Sequence, residues 1–104
     1  MEIILWTFRR NENDIVNLYN TLSPVMQLAT GGNMLNFGYW CKEDVSPIDA
    51  QNRLCDKIGK LTELDSANSL LDVGSGLSGP AIMWTVLYPK IDIFCLNINY
   101  KQLQ

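Results

Sequence analysis

The stretch "SLLDVGSGLSGPA", residues 69–81, decides the fold. A short apolar run carries Asp72 near its end. Gly74, Gly76 and Gly79 follow at G-x-G-x-x-G spacing, and Pro80 suits the first turn of a helix. An apolar run bounded by glycines predicts a buried strand over 69–73. The residues from Pro80 to Tyr88 predict a helix, which Tyr88-Pro89 breaks. "IDIFCLNI", residues 91–98, is β-branched and aromatic and predicts a second strand. Strand, glycine turn, helix and strand make one βαβ unit, in which the two strands run parallel. The fold class expected is therefore α/β.

Upstream the pattern is helical. Ile15, Leu18, Tyr19 and Leu22 recur at i, i+3, i+4, i+7. Ser23-Pro24 predicts the end of that helix, and Pro24 a second short one, "PVMQLAT", stopped by Gly31-Gly32. "NMLNFGYW" (33–40) reads as an aromatic loop. Ser46 is a good N-cap, Pro47 fits the first helical position, and Asp49 stands where a capping box places an acid. A helix is expected over Pro47–Leu61, with Ala50, Leu54, Ile58 and Leu61 on its apolar face. Asn99 with Gln102 three residues later reads as the start of a further helix. The first segment, "EIILWTF", fits a short strand, a helix entry or a tail equally well.

Composition narrows the function classes. The chain has 104 residues, 47% hydrophobic and 18% charged, as expected of a globular domain with a modest core. Its net charge is -3 and its basic residues are scattered, which argues against a nucleic-acid partner. No apolar run reaches the length of a membrane span, and the N-terminal charge order is the reverse of a secretory signal. Cys41, Cys55 and Cys95 are odd in number and far apart, so a reducing, cytoplasmic setting is expected rather than a disulfide framework. There is no histidine, which removes the commonest general base and metal ligand, and no metal is expected.

Two side chains discriminate between ligands for the glycine turn. A dinucleotide would lay its pyrophosphate on the helix N-terminus. Asp72, two residues before the first glycine, is a poor neighbour for phosphate. S-adenosylmethionine carries no phosphate, and a carboxylate near the turn can meet its ammonium. Asn97, 21 residues after Gly76 at the end of the second strand, stands where such folds bind ribose hydroxyls. The plainer readings are that Asp72 caps a backbone turn and that Asn97 shapes a strand end.

"LLDVGSGLSGPA" resembles the first motif of class I S-adenosylmethionine-dependent methyltransferases. "NFGYW" with the following acidic stretch and "IDAQNRL", and then "LNINYKQLQ", resemble a narrower small-molecule group. That group includes sugar O-methyltransferases, sarcosine/dimethylglycine-type N-methyltransferases and sterol-type enzymes, with cyclopropane-fatty-acid synthases as relatives. The resemblance runs from about Asn13 to Gln104. It implies a Rossmann-like fold and S-adenosyl-L-methionine as cofactor. Gly74, Ser75 and Gly76 would contact its methionine part and Asp72 its amino group. Asn97 and Gln102 would bond the ribose, and Ile98 would lie against the adenine. Tyr39 and Trp40 would form a lid over the sulfonium, whose charge an aromatic face attracts. Gln51 would reach the cofactor carboxylate. Asn97 departs from the acid usual in the broad superfamily, and Cys95 from a common glycine.

The resemblance further implies that residues 1–46 form a helical lid segment and residues 47–104 the start of the cofactor domain. The complete class I sheet has about seven strands. Two are expected here, so the chain reads as an N-terminal portion, with catalytic residues and acceptor pocket beyond Gln104. Inactivity and poor stability in isolation are expected, as is a partner for the open sheet edge. Two alternatives stand beside this reading: an NAD-linked oxidoreductase fragment, and a short non-catalytic chain that binds a cofactor or a partner.

Overall fold

The computed structural model describes residues 11–43 and 46–104. The reading of "EIILWTF" falls outside them. Helix α1 spans Glu12–Thr30 and opens on a capping box, in which Asn11 and Asp14 satisfy each other's backbone N–H groups. Gly31, left-handed at φ 75, closes it. The break expected at Ser23-Pro24 does not occur, and α1 runs through Pro24 as one helix. Proline removes one helical hydrogen bond and crowds the preceding turn. Here that turn is held by other means. The Ser23 hydroxyl donates to the Tyr19 carbonyl at 2.6 Å, and side chains far along the sequence grip Asn20 and Ser23.

Helix α2, Pro47–Leu61, has the bounds its caps announce. The Ser46 hydroxyl accepts the Asp49 N–H and donates to the Asp49 carboxylate at 2.6 Å. Its buried face differs from the one expected. Ala50, Gln51, Cys55 and Gly59 are buried, while Ile58 and Leu61 are 38% and 74% exposed. The packing selects small residues. A Cβ on Gly59 would lie 2.7 Å from the Tyr88 hydroxyl, so only glycine lets the helix approach that ring.

Strand β1 (Ser69–Val73), helix α3 (Gly79–Leu87) and strand β2 (Asp92–Leu96) form the expected βαβ unit. The strands pair in parallel from Ser69 with Asp92 to Val73 with Leu96. One face of the sheet turns Leu70 and Ile93 onto a core of Met34, Cys55, Leu64, Trp84 and Ile91. The Trp84 indole N–H donates to the Cys55 carbonyl at 3.0 Å and ties α3 to α2. The opposite face presents Leu71, Val73, Phe94 and Leu96, each more than half exposed. After β2 comes a single 3₁₀ turn, Tyr100–Leu103. Asn99 caps it by accepting the Lys101 N–H, but Gln102 does not complete a capping box. Its side chain is committed elsewhere.

Candidate functional site

Each of the three glycines has its own physical reason. Gly74 and Gly76 sit at φ 77 and 57, where other residues are strained. Gly79 is required by space, since a Cβ there would lie 2.7 Å from the Asn33 carbonyl oxygen and 2.8 Å from Met34 Cγ. The turn is closed by β2, because the N–H groups of Gly74 and Ser75 both donate to the Leu96 carbonyl, at 2.7 and 3.2 Å.

A cavity of about 270 Å³ opens over this turn. Gly74, Ser75 and Gly76 line it together with Pro80, Asn97 and Gln102. Five of the nine residues expected at a cofactor site therefore line one cavity. The lining also includes residues that sequence reasoning missed: Tyr19 of α1, and Asn33, Leu35 and Asn36 of the loop before α2. No local pattern marks them. The loop residues are held there because Gln51 donates from its carboxamide to the carbonyls of Met34 and Asn36, at 3.0 and 2.7 Å, and pins the loop to α2.

The remaining expected residues are placed differently. Asp72 sits on the covered face of β1, beneath the turn and outside the cavity lining. Its Oδ2 is buried without a hydrogen-bond partner, and this burial raises the carboxyl above the ordinary aspartate range. Ile98 is 59% exposed beside the cavity. Tyr39 and Trp40 do not reach the lining. The Lys57 ammonium stands 3.8 Å from the Tyr39 ring centroid, so that aromatic face already holds a cation. The Trp40 indole folds back to donate to the Phe37 carbonyl at 2.9 Å. Gln51 has no donor left for a cofactor carboxylate. Its spare atom is Oε1, a buried acceptor without a partner.

Among the described residues, the buried side-chain polar atoms without partners are Asp72 Oδ2, Gln51 Oε1 and Ser75 Oγ. Buried polar groups are nearly always paired, and an orphan costs on the order of 1–3 kcal/mol. Of these residues only Ser75 lines the cavity, while Asp72 and Gln51 lie outside the lining. Cys55 is not a nucleophile candidate. Burial, with the Asp72 carboxylate nearby as a second cause, pushes its thiol up to about 11. Among the described residues no cluster of three His, Cys, Asp or Glu is arranged to hold a metal, and no helix is long and apolar enough to cross a membrane.

Comparison with known proteins finds a methyltransferase among the similar chains. The chain is 33% identical over 92 residues, 88% of its length, to the 27-O-demethylrifamycin SV methyltransferase of Amycolatopsis mediterranei (strain S699). It spans about a third (33%) of that relative's length. No family model matches the chain. No solved structure matches it either.

Proposed function

We propose that this chain is the S-adenosylmethionine-binding N-terminal part of a methyltransferase acting on a small-molecule acceptor. The observation that carries the reading is the meeting, in one cavity, of the glycine turn, Ser75, Asn97 and Gln102, which lie in two separated stretches of sequence. The similarity to a methyltransferase over most of the chain supports it. That relative is named for methylating 27-O-demethylrifamycin SV, which favours a small-molecule acceptor over nucleic acid.

The residues present fit the cofactor. Gly74 has open space where a side chain would project, so backbone can touch ligand. The orphaned Asp72 and Gln51 oxygens lie buried outside the cavity lining, so in this reading they meet the cofactor's ammonium only after the turn and the loop before α2 shift to admit it. Asn97 and Gln102 supply the ribose end, with Ile98 beside it for the adenine. Tyr39 and Trp40 join the cavity in this reading only by a lid movement that releases Lys57 from the Tyr39 ring. When bound, S-adenosylmethionine supplies a methyl group on a sulfonium. The chain's own task is then to hold that group in place, since methyl transfer depends chiefly on alignment. We place the acceptor pocket and any catalytic base outside these residues, and expect no turnover from this chain alone.

The test is a side-by-side calorimetric titration with S-adenosylhomocysteine and NAD. Saturable binding of the first and none of the second is expected. Preference for NAD would replace this reading with a dinucleotide one. The bare face of Leu71, Val73, Phe94 and Leu96 favours a second reading, a non-catalytic chain whose sheet is covered by a partner. A stoichiometric partner on purification, with no S-adenosylhomocysteine binding, would support it.

A further inference from the structure

A one-directional chain of hydrogen bonds runs from α1 to the cavity. Asn97 Nδ2 donates to Gln102 Oε1 at 2.6 Å, Gln102 Nε2 donates to Ser23 Oγ at 2.7 Å, and Ser23 Oγ donates to the Tyr19 carbonyl at 2.6 Å. Asn97 Nδ2 also meets the Gly76 carbonyl at 3.4 Å. Ser23 is the buried residue of α1, 5% exposed, although serine is an ordinary surface residue.

The polarity of this chain is fixed at its far end. A backbone carbonyl can only accept, so the Ser23 hydroxyl must donate to Tyr19 and accept from Gln102. Gln102 must then turn its NH₂ toward Ser23 and its oxygen toward Asn97. Asn97 must in turn present NH₂ to Gln102 and Gly76. The atom of Asn97 left over is Oδ1, which can only accept. We propose that Ser23 is a positioning residue for ligand recognition. Through Gln102 it locks the Asn97 carboxamide so that the cavity offers an acceptor to a ligand hydroxyl. This deepens the methyl-donor reading and rests on it for the ligand, whose ribose carries such hydroxyls. It also accounts for a neutral residue at position 97, since a carboxylate there would face two acceptor oxygens.

The test compares S-adenosylhomocysteine with its 2′,3′-dideoxy analogue on wild type, Ser23→Ala and Ser23→Thr. Wild type is expected to prefer the hydroxylated ligand roughly tenfold or more, the worth of one to two hydrogen bonds. Ser23→Ala frees both carboxamides to rotate and should reduce that preference to about twofold. Ser23→Thr keeps the hydroxyl and should restore most of it. A purely structural serine would change both affinities alike and leave the ratio unmoved, which overturns the proposal. Should the alanine variant not fold, wild type decides alone. Nuclear Overhauser contacts from the Gln102 side-chain NH₂ to the Ser23 β protons are expected, and their absence overturns the relay. Wild type that shows those contacts but binds neither compound refutes the methyl-donor reading and the ligand half of this proposal, while leaving the relay's geometry in place.

Discussion

Two attachments hold this molecule together, and they are of opposite kinds. Helices α2 and α3 grip the sheet through apolar packing, with Cys55 and Trp84 at 1% and 7% exposure. Helix α1 is tied to the 3₁₀ turn after β2 by side-chain hydrogen bonds, Asn20 with Asn99 at 3.0 Å and Ser23 with Gln102 at 2.7 Å. Its apolar residues Val25 and Leu28 remain 59% and 89% exposed. Apolar burial is non-directional and supplies most of the stability of a small domain. Hydrogen bonds between side chains add little net stability but fix geometry. The βαβ unit with α2 is therefore expected to be the stable body, with α1 held to it by directional bonds rather than by apolar burial.

The largest test of that division is Trp84→Ala. It removes the most voluminous core side chain and the indole bond to Cys55, at a cost of about 3–5 kcal/mol. In a chain of this size that amounts to loss of the folded state, visible as a collapsed denaturant midpoint or a non-cooperative circular-dichroism melt. A variant that melts like wild type would move the core elsewhere.

Gly79→Ala comes next and separates crowding from conformation. Its new methyl would meet backbone at 2.7 Å, so the loop carrying Asn33 must shift, at about 1–3 kcal/mol. Gly74→Ala meets nothing within 4 Å and bears only the left-handed strain of about 1 kcal/mol. Urea denaturation of the pair should rank Gly79→Ala as the more damaging. The reverse order would mean that the loop yields easily and the turn does not.

On the polar side, Asn97→Asp should weaken rather than improve the site, although an acid is the commoner residue at such a strand end. The carboxylate would face Gln102 Oε1 and the Gly76 carbonyl in place of the amide that now donates to both. A loss of about 1–2 kcal/mol at neutral pH is expected. Protonation would relieve this repulsion, so the deficit should shrink as pH falls. Stability of the two proteins compared at neutral and acidic pH checks this, and equal stability at neutral pH would show that Gln102 turns over to donate.

These contrasts also explain what could be read in advance. Helix α2 and the unit from Ser69 to Leu96 follow from local signals: Ser46 and Pro47, the glycine spacing, and short β-branched runs. That Gly74, Ser75, Gly76, Asn97 and Gln102 line one cavity follows from the same signals, since these positions are fixed relative to strand ends. The continuity of α1 through Pro24 was not legible, because it depends on partners 79 residues away. Nor was the buried face of α2, where Gln51 and Gly59 outrank Ile58 and Leu61 because close approach needs small or hydrogen-bonding residues. Tyr39 shows the limit most plainly. An aromatic residue reads as a cation receptor from sequence, but which cation it receives is decided by the helix that brings Lys57 against it.

Asp72 crosses the division, a polar group set into the apolar side, and gives the smallest but most diagnostic effect on stability. Burial raises its carboxyl in the folded state, so the folded protein binds that proton more tightly than the unfolded chain does. The sign follows: its destabilising contribution is absent in acid, appears as pH rises above the unfolded aspartate value, and is complete above the raised folded value. Asp72→Asn removes the charge and should be slightly more stable than wild type at neutral pH, with the gap closing as pH falls through the acid range. Under the proposed function, in which the turn opens to bring this carboxylate to the ammonium, the same variant should bind S-adenosylhomocysteine more weakly, roughly tenfold or more. Stability gained together with affinity lost marks a residue kept for its ligand. A variant that is less stable at neutral pH would instead make Asp72 a structural cap of the turn.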